Sequence, residues 1–131
     1  MFARSIALVL LAIAAPNSAV WEPELDRPFE IKAAEVVTVQ GLRITFDGVA
    51  EDSRCPTGAT CVWAGDAAAT FSLEKPPAAA LQSILHTNGR FERQTNFDNF
   101  VIRLEDVRPY PKEGVTIAPG DYRATLVVTR R

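Results

Sequence analysis

The stretch EVVTVQGLRITF, residues 35–46, alternates apolar and polar side chains on both sides of Gln40-Gly41. A period of two puts Val37 and Val39 on one face of an extended strand. A two-residue turn at Gln40-Gly41 then returns Leu42, Ile44 and Phe46 to that same face, which is the signature of a β-hairpin. The pattern recurs down the chain. DAAATFSLE places Ala67, Ala69, Phe71 and Leu73 on one side, and Lys75-Pro76-Pro77 ends it because proline cannot donate to a ladder. NFVIRLEDV aligns Phe100, Ile102 and Leu104; YRATLVVT aligns Tyr122, Ala124, Leu126 and Val128. AALQSILH fits a helical or a strand period, and its shortness together with the following Asn88-Gly89 turn favours a strand. The segments ITFDGV and IRLEDV each break the alternation at a valine, which reads as a bulge or bend in two strands. Six to eight short strands with regular turns predict an all-β fold, a small antiparallel β-sandwich or a partly open barrel. WEPELDRP reads as an extended leader into the first strand.

Residues 1–19 carry Arg4 and then an unbroken apolar run from Ile6 to Ala15. Ten apolar residues are too few to span a bilayer, for which about 20 are needed, and this is the anatomy of a secretory signal peptide. Cleavage is expected before Val20, leaving residues 20–131 as a single domain that does not span a membrane and is periplasmic or secreted. Loss of Arg4 takes the net charge from −2 to −3. With no clustered basic surface legible in the sequence, nucleic acid is not an expected partner.

Export decides how the two cysteines are read. Cys55 and Cys61 lie within DSRCPTGATCVWAGDA and are the chain's only cysteines. In an oxidising compartment the pair predicts a disulfide. A structural zinc site wants four ligands, and a redox centre wants C-x-x-C spacing; neither is present. Closing a ring of this size removes chain entropy worth about 2–2.5 kcal/mol. Carrying the alternation of Phe71, Ala69 and Ala67 back through Gly65 puts Trp63 and Cys61 inward, so that Trp63 packs against the disulfide. The alternative is a bulge at Gly65 that leaves Trp63 on the surface as a binding anchor.

Charged residues around the loop have structural readings beside functional ones. Asp47, Glu51, Asp52 and Asp66 are weak candidates for calcium, without the D-x-D-x-D-G spacing that would make them a loop of ligands, and no metal is expected. Arg54 either pairs with Asp52 or Asp66 or projects toward a partner, where a constrained arginine loses little entropy on binding. His86, the only histidine, sits in SILHTNG, which resembles no triad segment. A phosphate-cradling G-x-x-x-x-G-K-[ST] is absent, so no cofactor and no catalytic residue are assigned.

The segments RITFDGVAEDSRCPTGATCVWAGDA, VRPYP and PGDYRATLVV resemble a group of small exported bacterial proteins. Their shared feature is an acidic-Ser-Arg-Cys-Pro segment, a short loop and then Cys-Val-Trp-Ala-Gly. The resemblance implies export and a common fold, and it carries no activity to transfer. The expected function is that of a non-enzymatic, monomeric binding or inhibitor-like module. It would use the clamped loop 52–66, with Arg54, Pro56, Thr57 and Trp63 as contacts for an extracytoplasmic protein or a glycan. The alternative is a structural or accessory domain of the cell envelope with no ligand of its own; a calcium-binding module or an enzyme ranks below both.

Overall fold

The structure, a computed structural model, describes residues 9–13 and 21–131. Residues 9–13 are exposed and without regular secondary structure, and the rest of the expected signal peptide lies outside the described residues. Among the described residues no helix is long and apolar enough to cross a membrane.

The chain forms two four-stranded antiparallel sheets that enclose one core and do not close into a barrel. The first sheet takes β1 (Phe29–Lys32), β8 (Arg123–Arg130), β7 (Phe100–Arg108) and β6 (Gln94–Phe97), in that spatial order. The second takes β2 (Val36–Val39), β3 (Leu42–Asp52), β4 (Ala67–Glu74) and β5 (Leu81–His86). A single 3-10 turn, Pro119–Asp121, precedes β8.

The period-two pattern becomes this architecture because each strand buries one face. The hairpin forms as the sequence predicts: Val37 pairs with Ile44 and Val39 with Leu42, all buried. Phe46 and Phe71 are directly opposed on β3 and β4, with ring centroids 5.1 Å apart. Aromatic cross-strand pairs of this kind are worth more than their buried area alone. AALQSILH is a strand, with Leu85 buried opposite Ala69.

Both expected bulges are present. The β3–β4 register shifts between Phe46 and Gly48 and again between Val49 and Glu51; the β7–β8 register shifts once, between Leu104 and Asp106. Gly48 sits at φ +127°, a conformation that favours glycine. The first β3 shift turns Val49 toward the core, and the second brings Asp52 opposite the buried Ala67. The β7 shift turns Val107 inward, opposite Ala124. The bulges therefore aim Asp52 and Val107 at the same end of the sandwich.

Trp63 corrects the parity argument. It is 77% exposed and does not pack in the core against the disulfide. Alternation holds only where a ladder enforces it, and the β3–β4 ladder stops at Asp52 and Ala67. Beyond it the chain closes on itself. Ser53 N donates to Asp66 O at 2.7 Å, and a Cβ placed on Gly65 would lie 1.7 Å from Ser53 O and 2.8 Å from the Arg54 Cα. Gly65 thus marks a close approach of two backbones, and the residues before it follow the loop. Gly65→Ala should destabilise the protein by about 3 kcal/mol or more, since backbone atoms cannot move aside as a flexible side chain can. Denaturant titration checks this, and a change under about 1 kcal/mol would contradict the close packing.

Candidate functional site

Arg54 follows the end of β3 and folds back under the loop. Its Nε and Nη2 donate to the two carboxylate oxygens of Asp52, each at 2.8 Å. Its Nη1 donates to Val107 O at 2.5 Å and its Nη2 to Pro109 O at 3.0 Å, across to the other sheet's β7 and the chain beyond it. Tyr122, just before β8, donates its hydroxyl to Asp52 Oδ2 at 3.0 Å. The side chains of Arg54 and Asp52 are only 11% and 12% exposed. A planar guanidinium serves this site because its donors diverge toward a carboxylate on one side and carbonyls on the other. Burial alone raises the Asp52 carboxyl, but the hydrogen bonds from Arg54 and Tyr122, with the Arg54 charge, outweigh it and leave the group below the ordinary carboxylate range. Burial, and then the hydrogen bond to Asp52, push the Tyr122 phenol above its usual range.

On this footing stands the disulfide ring. Cys55 and Cys61 are bonded, with Cα atoms 5.9 Å apart. The ring docks on residues 111–113: Thr57 N donates to Pro111 O at 2.9 Å and Glu113 N to Thr57 O at 3.3 Å, a short parallel bridge. Past the ring, Val62 and Trp63 turn outward, 92% and 77% exposed. Asn88 Nδ2 holds Ala64 O and Gly65 O, both at 3.3 Å. Asp66 gathers the far side of the loop, accepting from Asn88 N at 3.0 Å and lying 2.5 Å from His86 Nδ1. A shallow cleft of about 220 Å³ opens between Trp63 and Phe91, with Asn88 and Arg90 along its edge.

The residues expected to contact a partner therefore separate. Arg54 does not project: its guanidinium is spent on Asp52 and two carbonyls, and it positions the loop. Pro56 is half-buried, and Thr57 uses its backbone to dock the ring while its side chain stays exposed. Trp63 is presented to solvent. The four acids do not converge. Asp47 accepts from Ser72 Oγ at 2.6 Å, Asp52 is held by Arg54, and Asp66 lies against His86. Among the described residues no group of three or more His, Cys, Asp or Glu could hold a metal ion. Sequence reasoning missed Val62 and Phe91, and it placed Tyr122 on the inward face without its bond to Asp52. Val62 carried a signal, an apolar neighbour to Trp63 outside any alternating run; nothing local announced Phe91 or the partner of Tyr122.

Comparison with protein-family models, with curated proteins and with solved structures finds no match.

Because its folded-state pKa is depressed, Asp52 contributes stability at pH values above its unfolded pKa, about 3.9, and that contribution is lost as pH falls through the folded value. Asp52→Asn should cost about 2–3 kcal/mol near pH 7, since it removes the charge from bonds to a sheltered guanidinium. Its unfolding free energy should fall less steeply than that of the parent below about pH 4. Parallel slopes in urea titrations across that range would contradict the assignment.

Proposed function

We propose that this chain is an exported, non-enzymatic binding module that presents Val62 and Trp63 on a pre-formed loop to an extracytoplasmic protein or glycan. The observation that carries the reading is the exposure of Trp63 on a backbone fastened at several points. Large aromatics are mostly buried, and an exposed tryptophan on an ordered loop is the kind of residue that dominates binding energy. A loop already held in one conformation loses less entropy on association. Thr57, Pro56 and the Trp63–Phe91 cleft supply the surroundings of that anchor.

Export is supported by the disulfide, which persists in oxidising compartments. The non-enzymatic reading draws support from Ser53, one of three hydroxyl residues in the loop. Ser53 Oγ donates to Asp66 O at 3.1 Å and accepts from Asp66 N at 3.0 Å, so it closes the loop, while His86 Nδ1 faces the Asp66 carboxylate. Ser53 braces backbone and His86 meets a side-chain carboxylate, so the two are not arranged as a nucleophile with its base.

Trp63→Ala should leave the unfolding free energy within about 1 kcal/mol of the parent, and it should abolish covalent capture of partners by a cross-linker on residues 56–57 in the extracytoplasmic fraction. An unchanged set of captured partners would favour an accessory domain with no ligand at this loop. A loss of 3–5 kcal/mol would instead place Trp63 in the core.

A further inference from the structure

The outer face of the first sheet carries a feature that the fold does not need. Lys32 on β1 is directly opposite Arg123 on β8, and Arg123 is directly opposite Arg108 on β7. Three cations thus stand side by side across three neighbouring strands, all exposed. With strands about 4.8 Å apart, the row spans about 10 Å. Like charges directly opposed in a sheet destabilise it, and a chain whose net charge is −2 has acidic residues enough to avoid the arrangement. Elsewhere it does so: Arg43 stands opposite Glu74 on neighbouring strands and makes an ion pair with it, and Arg103 pairs with Glu105. Here Arg108 reaches Asp106 at 3.3 Å, and neither Lys32 nor Arg123 makes an ion pair with any described residue.

The row borders an open cleft of about 520 Å³ lined by Arg108, Pro109, Tyr110, Asp121 and Arg123. The acids facing it are Glu30, Asp106 and Asp121. Glu30 and Asp106 stand one row away, opposite Thr125. The Asp106 carboxylate is taken up by Val107 N at 2.9 Å, Tyr110 Oη at 2.9 Å and Arg108. Asp121 stands at the cleft with no ion pair among the described residues.

We propose that Lys32, Arg123 and Arg108 form a binding site for a small anion carrying two or more phosphate or carboxylate groups, with Arg123 at its centre. With Arg108 drawn to Asp106, Lys32 and Arg123 are the two cations of the row left without an ion pair among the described residues, which matches two anionic groups rather than one, and the cleft beside them has room for a small molecule. This site lies apart from the Trp63 loop and does not depend on the reading given to that loop.

Isothermal titration at low salt with pyrophosphate, and separately with citrate, tests the proposal and distinguishes a phosphate from a carboxylate ligand. Saturable binding of at least one probe is expected, weakening as salt is added. Arg123→Gln should weaken it about tenfold or more, as expected for a lost charge-assisted contact, and Asp121→Asn should tighten it. In the absence of probe, Arg123→Gln should unfold at the same temperature as the parent or a higher one, because it relieves repulsion. Failure of both probes to saturate, or binding unchanged in Arg123→Gln, would overturn the site. A lowered unfolding temperature in Arg123→Gln without probe would also overturn it, by showing that the arginine serves the fold.

Discussion

The guanidinium of Arg54 is the point at which the two sheets and the loop meet. Its four donated bonds reach Asp52 at the end of β3, Val107 near the end of β7, and Pro109 beyond it. Tyr122 closes the arrangement from the start of β8. A buried charge held by one partner is weakly stabilising at best, because desolvation offsets the attraction. This one is held by more than one partner: beyond the Asp52 carboxylate it donates to the Val107 and Pro109 carbonyls at the end of the sandwich. The bulges in β3 and β7 are what bring those acceptors within reach, so a local irregularity in two strands becomes a joint between sheets.

The disulfide is a second fastening, placed outward from the first. It fixes the ring from Cys55 to Cys61, and the bridge between Thr57 and residues 111–113 ties that ring to the segment whose Pro109 carbonyl Arg54 already holds. Beyond the ring, Asn88 and Asp66 hold residues 64–66 from the side of β5. The loop is thus gripped at both ends and in the middle, and the apolar pair Val62 and Trp63 is left outside every grip. Exposing a tryptophan forgoes the stabilisation that burial gives. Natural sequences depart from local rules of this kind mainly where a function asks for it, and the cation row on the first sheet is a second such departure.

Most of the fold was legible because period-two alternation is a direct consequence of strand geometry. Val37, Ile44, Phe71, Ile102 and Leu126 all face inward as the pattern requires. β6 was not, since only one of its four residues, Phe97, is buried; β1 was missed although Phe29 and Ile31 alternate inward, because no hairpin turn joins it to a neighbouring alternating run as Gln40-Gly41 joins β2 to β3. The loop was legible as a loop, and its disulfide followed from the expected export and from a chain with only two cysteines. Trp63 was not, because alternation carries no information past the last paired residue. Arg54 could be paired with Asp52 from proximity, but its acceptors at Val107 and Pro109 lie more than fifty residues away. The row from Lys32 to Arg108 needs the register of three strands, which single-strand patterns do not supply.

The account rests on Arg54, rather than the disulfide alone, holding the loop in place. Amide hydrogen exchange at Ser53 and Thr57, whose acceptors are Asp66 O and Pro111 O, measures this most directly in Arg54→Met with the Cys55–Cys61 bond intact. Both amides should exchange about tenfold faster or more than in the parent, while Leu104 N on β7, bonded to Arg93 O just before β6, changes little. Undiminished protection at Ser53 and Thr57 would show that the loop keeps its shape without the arginine, and would contradict the account.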